Sequence, residues 1–119
     1  MEKKKVLIVD DEEDVRNLLR DVLDYLGYET ADACNGRQAL EILSEQDFDL
    51  VMADLYMPEM DGLSLLRSIK EESDLPVIIF TGYAVTTTTD GMADLGADGY
   101  LRKPFMIQEV EKLVAILCS

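Results

Sequence analysis

Asp10, Asp11 and Asp54 are three acids placed for one task. The first two follow the apolar run Val6-Leu7-Ile8-Val9, and the third ends the run Leu50-Val51-Met52-Ala53. If both runs are strands of one sheet, these carboxylates converge at one edge. Like charges brought together repel by about 4 kcal/mol per pair at ~4 Å in an effective dielectric near 20, so a cation or a proton must compensate them. The arrangement therefore predicts a metal site. The Asp10-Asp11 pair by itself reads more readily as a helix N-cap beside a solvated acid.

The elements that must position these acids alternate along the chain. The predicted strands are Lys5–Val9, Glu29–Ala33, Leu50–Ala53, Val77–Phe80 and Gly99–Leu101. Between the first two lies a helix carrying Val15, Leu18, Leu19, Val22, Leu23 and Leu26 at helical spacing, closed by Gly27. A second helix near Arg37–Ser44 turns Ala39, Leu40 and Leu43 inward, and a third carries Gly62, Leu65, Leu66 and Ile69. A terminal helix follows from Ile107, Val110, Leu113, Val114 and Leu117. A further helix is expected between the fourth and fifth strands, although Thr86, Thr87, Thr88, Thr89 and Gly91 give it poor propensity.

Strict strand–helix alternation with near-continuous apolar strands predicts an α/β fold, a doubly wound parallel sheet covered on both faces. Ligands of such sheets bind beyond the carboxyl ends of the strands. Those ends carry Asp10-Asp11, Asp54, Thr81 and, shortly after the fifth strand, Lys103.

Composition bounds the function. A chain of 119 residues, 48% of them hydrophobic, makes one domain over residues 1–119. Its 25 acidic residues against 11 basic give a formal charge of −14, which opposes binding to nucleic acid or to anionic membranes. No apolar run approaches the roughly 18 residues that span a bilayer, and Met1-Glu2-Lys3-Lys4-Lys5 leads directly into a strand, so a cytoplasmic location is expected. Cys34 and Cys118 are too few for a disulfide framework, and without histidine there is no Cys/His metal spacing.

Four segments together resemble the receiver domains of two-component response regulators, the CheY-like family. They are Val-Leu-Ile-Val-Asp-Asp-Glu at 6–12, Asp-Leu-Tyr-Met-Pro-Glu-Met-Asp-Gly at 54–62, Phe-Thr-Gly-Tyr-Ala at 80–84 and Gly-Ala-Asp-Gly-Tyr-Leu-Arg-Lys-Pro-Phe at 96–105. The resemblance implies a flavodoxin-like (βα)5 sheet in the order 2-1-3-4-5. It implies that Asp54 is the phosphoacceptor, receiving its phosphoryl group from a sensor histidine kinase in a phosphorelay. Mg²⁺ is implied as the cofactor, with Asp11, Asp54 and the Tyr56 backbone carbonyl as ligands and Asp10 acting mainly through water. Lys103 would pair with a phosphoryl oxygen, and the Lys103-Pro104 bond is a cis candidate. Thr81 and Tyr100 would form the switch, altering the face made by the fourth helix, the fifth strand and the terminal helix for an output partner or domain.

The same resemblance makes the chain a signalling domain that promotes its own phosphotransfer and autodephosphorylation, present as a monomer or a phosphorylation-dependent dimer. Gly82 would leave the site open to phosphodonors, while Tyr56 and Tyr83 would flank the path of attacking water and slow hydrolysis. Met57, Met60, Met92 and Met106 are read as core or rim packing. The Met1 start fits an N-terminal position, and the alternatives within the family are a stand-alone regulator or a receiver from a longer regulator or hybrid kinase. Two other classes are an aspartyl-phosphate phosphatase, whose Asp-x-Asp motif Asp54-Leu55-Tyr56 lacks, and a pure docking module, which would have lost an acid or the lysine.

Overall fold

The computed structural model describes the protein at residues 3–57, 60–81 and 96–118, with Thr81 described by its backbone alone. The strands are β1 (Lys5–Val9), β2 (Glu29–Ala33), β3 (Leu50–Asp54), β4 (Val77–Thr81) and β5 (Gly99–Arg102). They form one parallel sheet in the order β2-β1-β3-β4-β5. Three strands run one residue further than the apolar pattern suggests. The ladder pairs Asp54 with Phe80 and Thr81 with Arg102, so the sheet includes polar residues that a hydrophobic pattern cannot see.

Four helices are described: α1 (Glu13–Tyr25), α2 (Gly36–Glu45), α3 (Gly62–Glu72) and the terminal α4 (Ile107–Leu117). The helix expected between β4 and β5, with Thr86–Thr89, Gly91 and Met92, lies outside the described residues. Asn35 caps α2 by accepting from the Gln38 amide at 2.8 Å, and Asp61 caps α3 by accepting from Ser64 at 2.8 Å. Gly27 closes α1 at φ 95°, in the left-handed region.

Side chains alternate across each strand and feed two cores. On one face Val6, Ile8, Leu50, Met52, Ile78 and Phe80 meet Leu19, Val22 and Leu23 of α1 and Val110 and Val114 of α4. On the other, Leu7, Val9, Val51, Ala53, Val77 and Ile79 meet Ala39 of α2 and Leu65, Leu66 and Ile69 of α3. Each buried Leu, Ile or Val stabilises the fold by about 2 kcal/mol relative to exposure, so the strand ends are fixed from both sides. Two apolar residues that match the helical spacing lie outside the core. Leu18 is 54% exposed because it lies at the margin of the α1 stripe, and Ile107 is 54% exposed because it opens α4 before the helix reaches the sheet. Among the described residues, no helix is long and apolar enough to cross a membrane.

Candidate functional site

The carboxyl ends of β1 and β3 bring Asp10 and Asp54 together, and both are buried. They meet through Lys103, just past β5. Its Nζ donates to Asp10 Oδ2 at 3.0 Å and to Asp54 Oδ2 at 3.2 Å. The remaining oxygens are turned inward by the backbone: Asp10 Oδ1 accepts from the Glu12 amide at 2.8 Å, and Asp54 Oδ1 from the Tyr56 amide at 3.2 Å. The cap position of α1 falls on Glu12, which makes no side-chain cap hydrogen bond, so the Asp10-Asp11 pair is not an ordinary N-cap.

Packing aims Lys103 at the acids. Its ammonium lies 5.1 Å from the centroid of the Phe80 ring, and Phe80 packs edge-on against Phe105 at 6.0 Å. The Lys103-Pro104 peptide is cis, as the resemblance implies. Burial pushes the Lys103 pKa down, but the hydrogen bond it donates to Asp10 and the charges of Asp10 and Asp54 outweigh it and hold the pKa above the ordinary lysine value.

One ammonium cannot balance this edge. Asp11 is exposed beside Asp10, and carboxylate oxygens of Asp10, Asp11 and Glu12 lie within 4.8 Å of one another. An all-oxygen donor set with excess negative charge fits a hard divalent cation. Glu12 was not singled out in the sequence, although the uninterrupted run Asp10-Asp11-Glu12 carries the signal. Asp54 stands outside that three-acid group and joins Asp10 through Lys103 instead. The Tyr56 amide sits at the Asp54 carboxylate while its side chain is 54% exposed.

Close approach of α3 completes the wall around Asp54. A Cβ on Gly62 would lie 2.3 Å from the Asp54 carbonyl oxygen, so only glycine lets the helix start there. Tyr100 is half-buried on the α2–α3 side of the sheet, and its hydroxyl accepts from the Ala97 amide at 3.2 Å. Thr81 ends β4 opposite Arg102. Gly82 and Tyr83 lie outside the described residues. Met57 and Met60 are half-buried as expected, whereas Met106 is 62% exposed.

The response regulator receiver domain model matches residues 6–115. Sporulation initiation phosphotransferase F of Bacillus subtilis is 39% identical over 115 residues, covering 96% of this chain and 93% of that protein. A probable transcriptional regulator, ycf27, of Cyanidium caldarium is 41% identical over 106 residues, 89% of this chain. The chain spans less than half, 43%, of that regulator's length. Among solved structures, response regulator TrrA of Thermotoga maritima in complex with Mg(2+)-BeF superposes with a TM-score of 0.85 at 36% identity, covering 96% of this chain and 98% of that one. A receiver domain protein from Clostridium thermocellum gives 0.88 at 30% identity, covering 97% and 94%. With a family match running through nearly the whole sheet and a relative aligned along most of its own length, the chain belongs to the response regulator receiver domain family.

Proposed function

We propose that this receiver takes a phosphoryl group onto Asp54 from the phosphohistidine of a sensor histidine kinase and passes the change to an output partner. The observation that carries this is the charge arithmetic at the sheet edge: two buried aspartates share one lysine, with Asp11 beside them. An Asp54 oxygen attacks phosphorus, the new O–P bond forms as the N–P bond breaks, and the imidazole leaves with the electron pair. Lys103, already at the carboxylate, offers its ammonium to the incoming phosphoryl oxygens. Bound Mg²⁺ would supply charge neutralisation for the phosphoryl oxygens, held by Asp11 and Asp54 with the Tyr56 carbonyl, and by Asp10 through water. Asp10 holds Lys103 in the meantime.

The phosphoryl group adds about two negative charges near the end of β4. Thr81 and Tyr100 are assigned as the switch that passes this to the face around β5 and α4. Hydrolysis by water breaks the O–P bond and restores the Asp54 carboxylate. The protein works in the cytoplasm in this reading, and the two lengths of relative support either a self-contained phosphotransfer intermediate or a receiver joined to an output domain.

Incubation with Mg²⁺ and acetyl phosphate tests the proposal. A phosphoryl-sized mass increase that is stable in acid, labile in base and absent from Asp54→Asn is expected. Steady release of phosphate without accumulation would indicate a phosphatase, and no reaction would leave a docking module.

A further inference from the structure

Outside the acid cluster, the densest set of charged contacts joins α1 to β2. Arg16 Nε donates to Asp32 Oδ2 at 2.9 Å, and its Nη1 donates to the main-chain carbonyl of Asp10 at 2.7 Å. Arg20, one turn later, reaches the other oxygen of Asp32. From the opposite side, the Asp10 amide donates to the carbonyl of Ala33, the neighbour of Asp32, at 3.1 Å. The Asp10 peptide is thus held at its nitrogen by β2 and at its oxygen by α1.

Exposed ion pairs contribute little, and stability alone would be served by Arg20 with Asp32. Arg16 differs from Arg20 in one respect: its guanidinium spans two partners, one of which is the backbone from which the Asp10 and Asp11 side chains depart. Its side chain is only 15% exposed. A lysine would keep the charge but could not present two fixed donors in a planar fork.

We propose that Arg16 is a positioning residue for the divalent cation site, setting the direction in which Asp10 and Asp11 face it. This rests on the proposed cation site formed with Asp10, Asp11 and Asp54. Asp32 is its support, holding the guanidinium so that Nη1 meets the carbonyl, whereas Arg20 reaches only Asp32. Groups behind metal ligands typically govern affinity by 10- to 100-fold. Position also governs selectivity, because Mg²⁺ requires near-ideal octahedral geometry whereas Ca²⁺ accepts irregular coordination.

Titration calorimetry with MgCl₂ and CaCl₂ on the whole chain separates geometry from charge. Arg16→Lys and Arg16→Gln are expected to weaken Mg²⁺ binding by about tenfold or more and Ca²⁺ binding by less, narrowing the preference for Mg²⁺. Asp32→Asn should narrow it by an intermediate amount, and Arg20→Gln should leave it near wild type. If Arg16 acts by charge alone, Arg16→Gln strengthens both ions in equal proportion and Arg16→Lys changes neither, which overturns the proposal. Circular dichroism and urea midpoints in EDTA identify any variant that fails to fold, in which case Asp32→Asn decides. Asp11→Asn tests the site itself: if it leaves Mg²⁺ binding intact, the cation reading falls and this inference with it. If it abolishes binding while Arg16→Lys keeps the ion preference, only the role of Arg16 falls.

Discussion

The two ends of the sheet each carry a lysine that binds an aspartate, and the resemblance ends there. At the amino end, Lys70 Nζ donates to Asp98 Oδ2 at 2.7 Å and to the Leu75 carbonyl at 3.0 Å, while the same Asp98 oxygen accepts from the Val77 amide at 2.9 Å. Charges there cancel one to one, and both side chains are about a third exposed. At the carboxyl end Lys103 faces two carboxylates, those of Asp10 and Asp54, which are 0% and 8% exposed. A balanced pair latches α3 to the entries of β4 and β5. An unbalanced one stores unsatisfied charge, and that is the property a phosphoryl-accepting, cation-binding edge requires.

Asp54→Asn should break the comparison most completely. It should abolish phosphoryl incorporation, read by intact mass, and leave Lys103 paired one to one with Asp10, as at the other end. Relief of buried like charge should also raise the urea-unfolding free energy in EDTA by about 1 kcal/mol or more, since uncompensated buried ions are replaced at a gain. A loss of stability would mean that Asp54 is adequately compensated by Lys103 alone.

Lys103→Met has the next largest effect. Removing the cation strands two buried carboxylates, and about 3 kcal/mol should be lost in EDTA. Millimolar Mg²⁺ should return part of that loss, because a ligand that binds only the folded form stabilises it by roughly 2.7 kcal/mol at a hundred times its Kd. Lys70→Met is the counterpart at the balanced end. It should cost about 1 kcal/mol or less, leave phosphorylation unchanged and gain no specific rescue from Mg²⁺.

This difference between the ends was legible in the sequence on one side only. Asp10, Asp11, Asp54 and Lys103 lie at or just past strand ends, so a correct strand pattern brings them to one rim. The Lys70–Asp98 latch was not visible, because it depends on where the end of α3 lands against β5. Arg16 was missed for a related reason. Hydrophobic periodicity fixes which side of α1 is buried, and says nothing about which carbonyl a charged side chain on that helix can reach. Leu18 and Ile107 show the limit of the pattern itself, since apolar spacing marks a stripe wider than the surface the sheet covers. Glu12 was within reach, as a third acid in an unbroken run. The motif at 96–105 supplied what periodicity could not, the cis peptide before Pro104, whereas the need for glycine at position 62 shows only in how closely α3 approaches the Asp54 carbonyl.

Alkali offers the finest test, because the groups with displaced pKa values lie at opposite ends. Near the amino edge, burial raises the Cys118 thiol above its usual 9.0, with the charge of Asp49 adding to it and that of Lys4 opposing. Tyr28 is raised above 10.0 by burial and then by the charges of Cys118 and Glu111. Lys103, at the carboxyl edge, is raised above 10.5. In each case the folded protein holds its proton more tightly than the unfolded chain does, so the stabilisation is complete below the unfolded pKa and is lost as pH rises through the folded value. Stability should therefore begin to fall above about pH 9 through Cys118, then above 10 through Tyr28, and only above 10.5 through Lys103. Urea midpoints measured from pH 8 upward should show that Cys118→Ala removes the first of these losses, at the cost of a small pH-independent decrease. Lys103→Met should flatten only the last. If Lys103→Met instead changes the profile below pH 10.5, the ammonium is not held above its usual pKa by Asp10 and Asp54, and the contrast between the two ends loses its electrostatic basis.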